Sequence, residues 1–196
     1  MKKFYILLYF ILGFTATAQL KEVQKLKNIE KKYDSILVNY QKNAKDSLAD
    51  LKKVERNKIM ALEEAKILER KKKEEYTQLD KIRKEEMELS GKSITEKSRK
   101  CEMGADFQMP NLLNKLKYKP TIDKTKEKAK TRELTSVVTF QVTADGYVKN
   151  VKATGVNEDF NKELELTYYK VEKMMPMCFN GITKTKNFRQ PIKANF

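Results

Sequence analysis

From Leu20 to about Ser90 apolar residues recur three and four positions apart, with no Pro and no Gly, and Lys, Glu, Leu, Ala and Arg dominate. That pattern predicts a long solvated helix ended by Gly91. With Leu37 at position a, a heptad seam runs through Leu37, Tyr40, Ala44, Leu51, Val54, Ala61, Ala65, Leu68, Leu79, Ile82 and Leu89. Ser47, Lys58, Lys72, Glu75 and Glu86 interrupt it. Such a seam fits a coiled coil or a helical hairpin, with a loose or broken stretch over RKKKEE, Arg70 to Glu75. One unbroken helix of this length would reach about 100 Å at 1.5 Å per residue, a spacer length.

From Gly91 to Arg132 the periodicity weakens. GKSITEKSRK reads as a hinge, Met109-Pro110 opens a short helix at Asn111 to Leu116, and TKEKAKTRE is a solvated connector. Alternation then returns: Val138, Phe140 and Val142 alternate with Thr139, Gln141 and Thr143, and Ala144-Asp145-Gly146-Tyr147 supplies a turn. Val148 and Val151 to Ala153 complete a hairpin with one buried face. Asn157 or Asp159 can cap a helix from Phe160 to about Met174, with Phe160, Leu164, Tyr168 and Val171 on one face and Pro176 stopping it. Phe188 to Phe196 reads as a last strand, and Pro191 suggests a sheet edge. The expected organisation is residues 1–18 as a leader, 19–90 helical, 91–132 hinge and connector, and 133–196 a small domain. The fold class is α+β.

The leader reading rests on Met1-Lys2-Lys3, the apolar run FYILLYFILGF and the small residues Thr15-Ala16-Thr17-Ala18, the three parts of a secretory signal. Eleven apolar residues fall short of the roughly 20 that span a bilayer. Cleavage before Gln19 would place the mature protein in the periplasm; an uncleaved leader would anchor it to the inner membrane.

Charge changes the picture modestly. The chain carries 42 Lys and Arg against 27 Asp and Glu, a formal +15, spread over leader, helical region and C-terminal part. Spread positive charge favours weak contact with anionic envelope surfaces, and export makes nucleic acid an unsuitable target. Cys101 and Cys178 would meet an oxidising compartment, where they can form one disulfide or remain two thiols, one buried beside Phe179.

Enzyme chemistry finds little support in the residues. There is no His, which removes the commonest general base and imidazole metal ligands. Glu63-Glu64, Glu74-Glu75 and Glu85-Glu86 are neighbours on a helix and point to different sides. Gly91-Lys92-Ser93 lacks the strand and first Gly of a phosphate loop. The expectation is a protein without catalytic residues, cofactor or metal.

Taken in order, VTFQVTADGYVKNVKATGV, then VEKMMPMCFNG, then a closing strand with Pro191-Ile192 and Asn195-Phe196 resemble the TonB C-terminal domain family over about residues 137–196. Cys178 and Asn180-Gly181 stand where many members carry Trp and Pro-Gly. The resemblance implies a small αβ domain that docks an extended peptide of an outer-membrane transporter by adding a strand to a sheet edge. It points to Phe188, Arg189, Ile192, Lys193 and Asn195 as the peptide-binding edge, with Arg189 and Lys193 facing acidic residues of the peptide. On this reading Ile192→Pro removes a donor from that edge. The alternative is a structural coiled-coil envelope protein, a homo-oligomer through its helix with the C-terminal domain as a folded cap.

Overall fold

The computed structural model describes residues 20–90, 98–102, 112, 116, 118 and 133–195. The leader, most of the 91–132 connector, including the expected helix at Asn111 to Leu116 apart from Leu112 and Leu116, and Phe196 lie outside the described residues. Among those described, no helix is long and apolar enough to cross a membrane.

The helical region is an antiparallel hairpin of α1 (Lys21–Ser47) and α2 (Lys53–Leu89). The chain reverses over Leu48–Lys52 without Gly or Pro, through short backbone bonds from Leu48 to Ala44 and from Leu51 to Leu48. The break expected over Arg70–Glu75 is absent, and α2 runs straight through it. The polar interruptions there are partnered: Lys72 bonds Asp159 at 3.5 Å, and the buried Glu75 bonds Lys170 at 2.8 Å. A heptad count treats such residues as seam defects, whereas a buried ion pair satisfies both charges.

The hairpin is zipped on one side by Ile29, Tyr33 and Ile67, with Leu37 and Tyr40 against them. Lys32–Glu74 at 2.9 Å and Gln41–Glu64 at 2.9 Å extend the contact. The first turn of α1 has no side-chain cap of its own; the Lys21 and Glu22 N–H groups donate to the Glu85 carboxylate across the hairpin at 3.0 and 2.9 Å. That carboxylate does the work of a local cap residue from 64 positions away.

The C-terminal domain is built from β1 (Glu133–Val142), β2 (Val148–Gly155), α3 (Glu158–Tyr169), β3 (Met177–Phe179), β4 (Ile182–Lys184) and β5 (Lys186–Asn195). β2, β1 and β5 form an antiparallel sheet in that order, and β3 and β4 a separate hairpin. Val138, Phe140 and Val142 of β1 face α3, whose Phe160, Leu164 and Tyr168 complete the core. The same core takes in Leu79 and Ile82 of α2, Val23 and Leu26 of α1 and Leu20 just before it. The base of the helical hairpin and the sheet therefore share one apolar interior.

Three local features sharpen the sequence reading. Asn157 caps α3, its Oδ1 accepting from the Phe160 N–H at 2.8 Å. α3 ends at Tyr169, well before Pro176, because the Met174 N–H is drawn to the Gly146 carbonyl in the β1–β2 turn at 2.8 Å. Gly146 has φ +86°, and a Cβ there would lie 2.5 Å from the Met174 oxygen, so this docking requires glycine. The last strand begins at Lys186, two residues ahead of the expected Phe188.

The β3–β4 hairpin was not legible from alternation, since its strands are three residues each. It turns on Asn180 and Gly181, both at positive φ. Residues 99–101 lie along its other side: the Thr183 N–H donates to the Arg99 carbonyl and the Cys101 N–H to the Gly181 carbonyl. A disulfide between Cys101 and Cys178 fastens them, closing a separation of 77 residues.

Candidate functional site: an open sheet edge and a closed one

A three-stranded sheet has two edges, each presenting backbone groups that need partners. Here the two are treated differently. β2 carries a bulge where Asn150, in the left-handed region at φ +52°, and Val151 together oppose Phe140. The bulge turns the Asn150 N–H outward to the Glu86 Oε1 of α2 at 2.6 Å. Next along the edge, the Val151 N–H donates to the Tyr169 hydroxyl at 3.1 Å and the Ala153 N–H to Glu165 Oε1 at 3.0 Å. The Gly155 carbonyl accepts from Asn161 at 2.9 Å. Side chains of α3 and α2 therefore occupy the positions an added strand would take on β2.

These acceptors are themselves held. Tyr169 donates to Glu86 Oε2 at 2.8 Å, and Arg83 binds Glu165 Oε2 at 2.8 Å. Burial pushes the Glu86 carboxyl above its ordinary range, against its bonds to Asn150 and Tyr169, which pull it down. The Tyr169 hydroxyl is driven far up, first by burial and then by the charge of Glu86. Beside them burial also raises Glu163, with the charge of Glu75 adding to it, while Tyr76 donates to it at 3.2 Å.

The other edge is β5, paired with β1 through ten consecutive positions from Lys186 to Asn195. Among the described residues no strand pairs with its outer side. The direction of its backbone follows from β2. The Ala153 N–H points away from β1, so its opposite residue Val138 turns its own groups to β5, where it meets Gln190. By alternation Ile192, opposite Ser136, also bonds β1, and the outward backbone groups belong to Arg189, Pro191, Lys193 and Asn195.

This sorts the five residues expected at the edge. Arg189, Lys193 and Asn195 are exposed and turn both side chain and backbone away from the core interior. Phe188 and Ile192 do not. Phe188 stacks on Phe140 with ring centroids 5.4 Å apart, and Ile192 is buried. Proline at Ile192 would cut a bond to β1 and open the core, so it is no test of the edge. Pro191 sits where its missing N–H faces outward, the position in which a strand tolerates proline.

Gln190, between them, accepts from the buried Tyr168 hydroxyl, whose pKa burial raises to about 12. On the open face of the sheet, Arg189 and Lys152 flank Thr139, and Lys193 pairs with Glu133 at 2.8 Å. The capping of β2 by Tyr169, Glu165 and Glu86 was missed from sequence: Glu85-Glu86 read as neighbours pointing to different sides of a helix, and only the docking of α2 on β2 brings the Asn150 N–H and the Tyr169 hydroxyl to Glu86.

Among the described residues no group of three or more His, Cys, Asp or Glu side chains could hold a metal ion. No protein-family model, no curated protein and no solved structure matches the chain.

Proposed function

We propose that this is an exported, non-enzymatic binding protein that takes up an extended peptide along β5 by strand addition, in the manner of the TonB C-terminal domain. The observation that supports the reading is the asymmetry of the sheet. Its β2 edge is sealed by three side-chain acceptors, while the β5 edge offers outward backbone at Arg189, Lys193 and Asn195 with no strand against it among the described residues. Backbone pairing supplies the affinity in such docking, and side chains at alternate positions supply selectivity. The peptide's alternate residues would lie beside Arg189 and Lys193, whose charge favours acidic side chains. Pro191 leaves one gap in the donor row, which restricts the register an incoming strand can adopt. The partner class on this reading is an outer-membrane transporter segment or another envelope protein with an extended acidic stretch.

Titration with an acidic extended peptide tests this directly. Amide resonances of Arg189, Lys193 and Asn195 should move while those of Val151 and Ala153 stay in place. Lys193→Pro, which removes an outward donor without touching a β1 bond, should weaken binding. Unmoved β5 resonances at millimolar peptide, or movement centred on β2, would overturn the proposal.

A further inference from the structure

α2 presents one continuous stripe of which only half is covered. Lys72, Tyr76, Leu79, Arg83 and Glu86 share one side of the helix, and all five meet the C-terminal domain. Lys72 pairs with Asp159, Tyr76 with Glu163, Arg83 with Glu165 and Glu86 with Tyr169, while Leu79 lies in the shared core. Eighteen residues make five helical turns, so Val54, Lys58, Ala61, Ala65 and Leu68 occupy the same angular positions one by one. α1 packs on a different side, through Glu64, Ile67, Lys71 and Gln78. The upper half of the stripe is therefore open: Val54 is 80% exposed, Leu68 50% and the adjoining Leu62 56%.

We infer that a second copy of this chain covers it, the two α2 helices running antiparallel across a two-fold axis at Ala61. Three features favour a second copy over another partner. The uncovered half continues an interface that the chain already buries against a helix, α3. Its spacing of four and three is the seam a helix recognises. The face is also self-complementary: with Ala61 against Ala61, Val54 meets Leu68 of the second copy across the seam, while along the flanks Lys58 lies on the side of Glu69 and Lys53 on the side of Glu64. Glu64 is already oriented by Gln41, and the small Ala61 and Ala65 let the helices approach closely. An isologous pair uses each contact twice, so two apolar and four ionic contacts follow from one face. The seam spans only about 20 Å, a length that suits weak, concentration-dependent pairing.

The inference stands independently of peptide docking at β5, which lies on another element. Sedimentation of the full chain without peptide should show a monomer that doubles in mass as concentration rises. Lys58→Glu should weaken association about threefold to tenfold, and adding Glu69→Lys on the same chain should restore it, since exposed pairs of this kind carry that much. A short bis-maleimide should link Val54→Cys to Leu68→Cys when the two variants are mixed, yet link neither variant to itself, because equivalent residues then lie about 20 Å apart. A chain that stays monomeric at millimolar concentration would overturn the inference. So would self-linking by Val54→Cys, which marks parallel pairing, or association that persists unchanged in Val54→Asp/Leu68→Asp.

Discussion

Tyr169→Phe isolates the closure of the β2 edge from the packing beneath it. The substitution keeps the buried ring and deletes one hydroxyl, which accepts from the Val151 N–H at 3.1 Å and donates to Glu86 at 2.8 Å. The Val151 donor is buried and loses its partner, which costs about 1–3 kcal/mol. Glu86 keeps its bond from the Asn150 N–H at 2.6 Å and loses only one of two donors, so its share is smaller. A total of about 2–4 kcal/mol follows, or roughly 5–12 °C in melting temperature for a chain of this size. Calorimetry of both proteins measures the total, and hydrogen exchange at the Val151 amide locates it. Tyr168→Phe is the internal control, because among the described residues its hydroxyl meets the Gln190 side chain and no backbone group; its loss should cost about 1 kcal/mol. Equal melting temperatures for the two variants, with Val151 still protected, would refute the claim that Tyr169 seals the edge.

The remaining predictions follow from single contacts. Cys178→Ser should destabilise by about 4–5 kcal/mol in the chain-entropy account, given the 77-residue separation of Cys101 and Cys178; denaturant midpoints of oxidised wild type and variant measure it. Gly155→Ala would put a Cβ 2.4 Å from the Thr135 carbonyl oxygen and 3.0 Å from Asn161 Oδ1, so β1 and β2 must separate locally at a cost of about 1–3 kcal/mol, visible as a lower melting temperature. Glu163 binds its proton more tightly folded than unfolded, so its contribution to stability falls as pH rises above about 4.5 through the raised folded value. Glu163→Gln, which can still accept from Tyr76, should therefore gain on wild type between pH 4.5 and 8 in urea melts, and a difference independent of pH would refute it.

Local signals that need no partner were legible in the chain. The alternation of Val138, Phe140 and Val142 set strand and buried face together, Asp145-Gly146 marked the turn, and Asn157 or Asp159 marked the start of α3, because each acts over a few residues. The heptad pattern likewise announced a stripe on α2. Tertiary structure decided who meets that stripe. α1 packs elsewhere, on Ile67 and Lys71, α3 takes the lower half, and the upper half stays open, since a periodic pattern specifies a face and says nothing of its occupant. It also decided where the helix turns, because Leu48–Lys52 reverses without Gly or Pro once Lys32, Asp34 and Gln41 find partners across the hairpin. Above all it decided which sheet edge is closed. Glu86, Glu165 and Tyr169 become backbone acceptors only when α2 and α3 are brought against β2, and contacts from as far as 64 residues away in Glu86 leave no trace in local spacing.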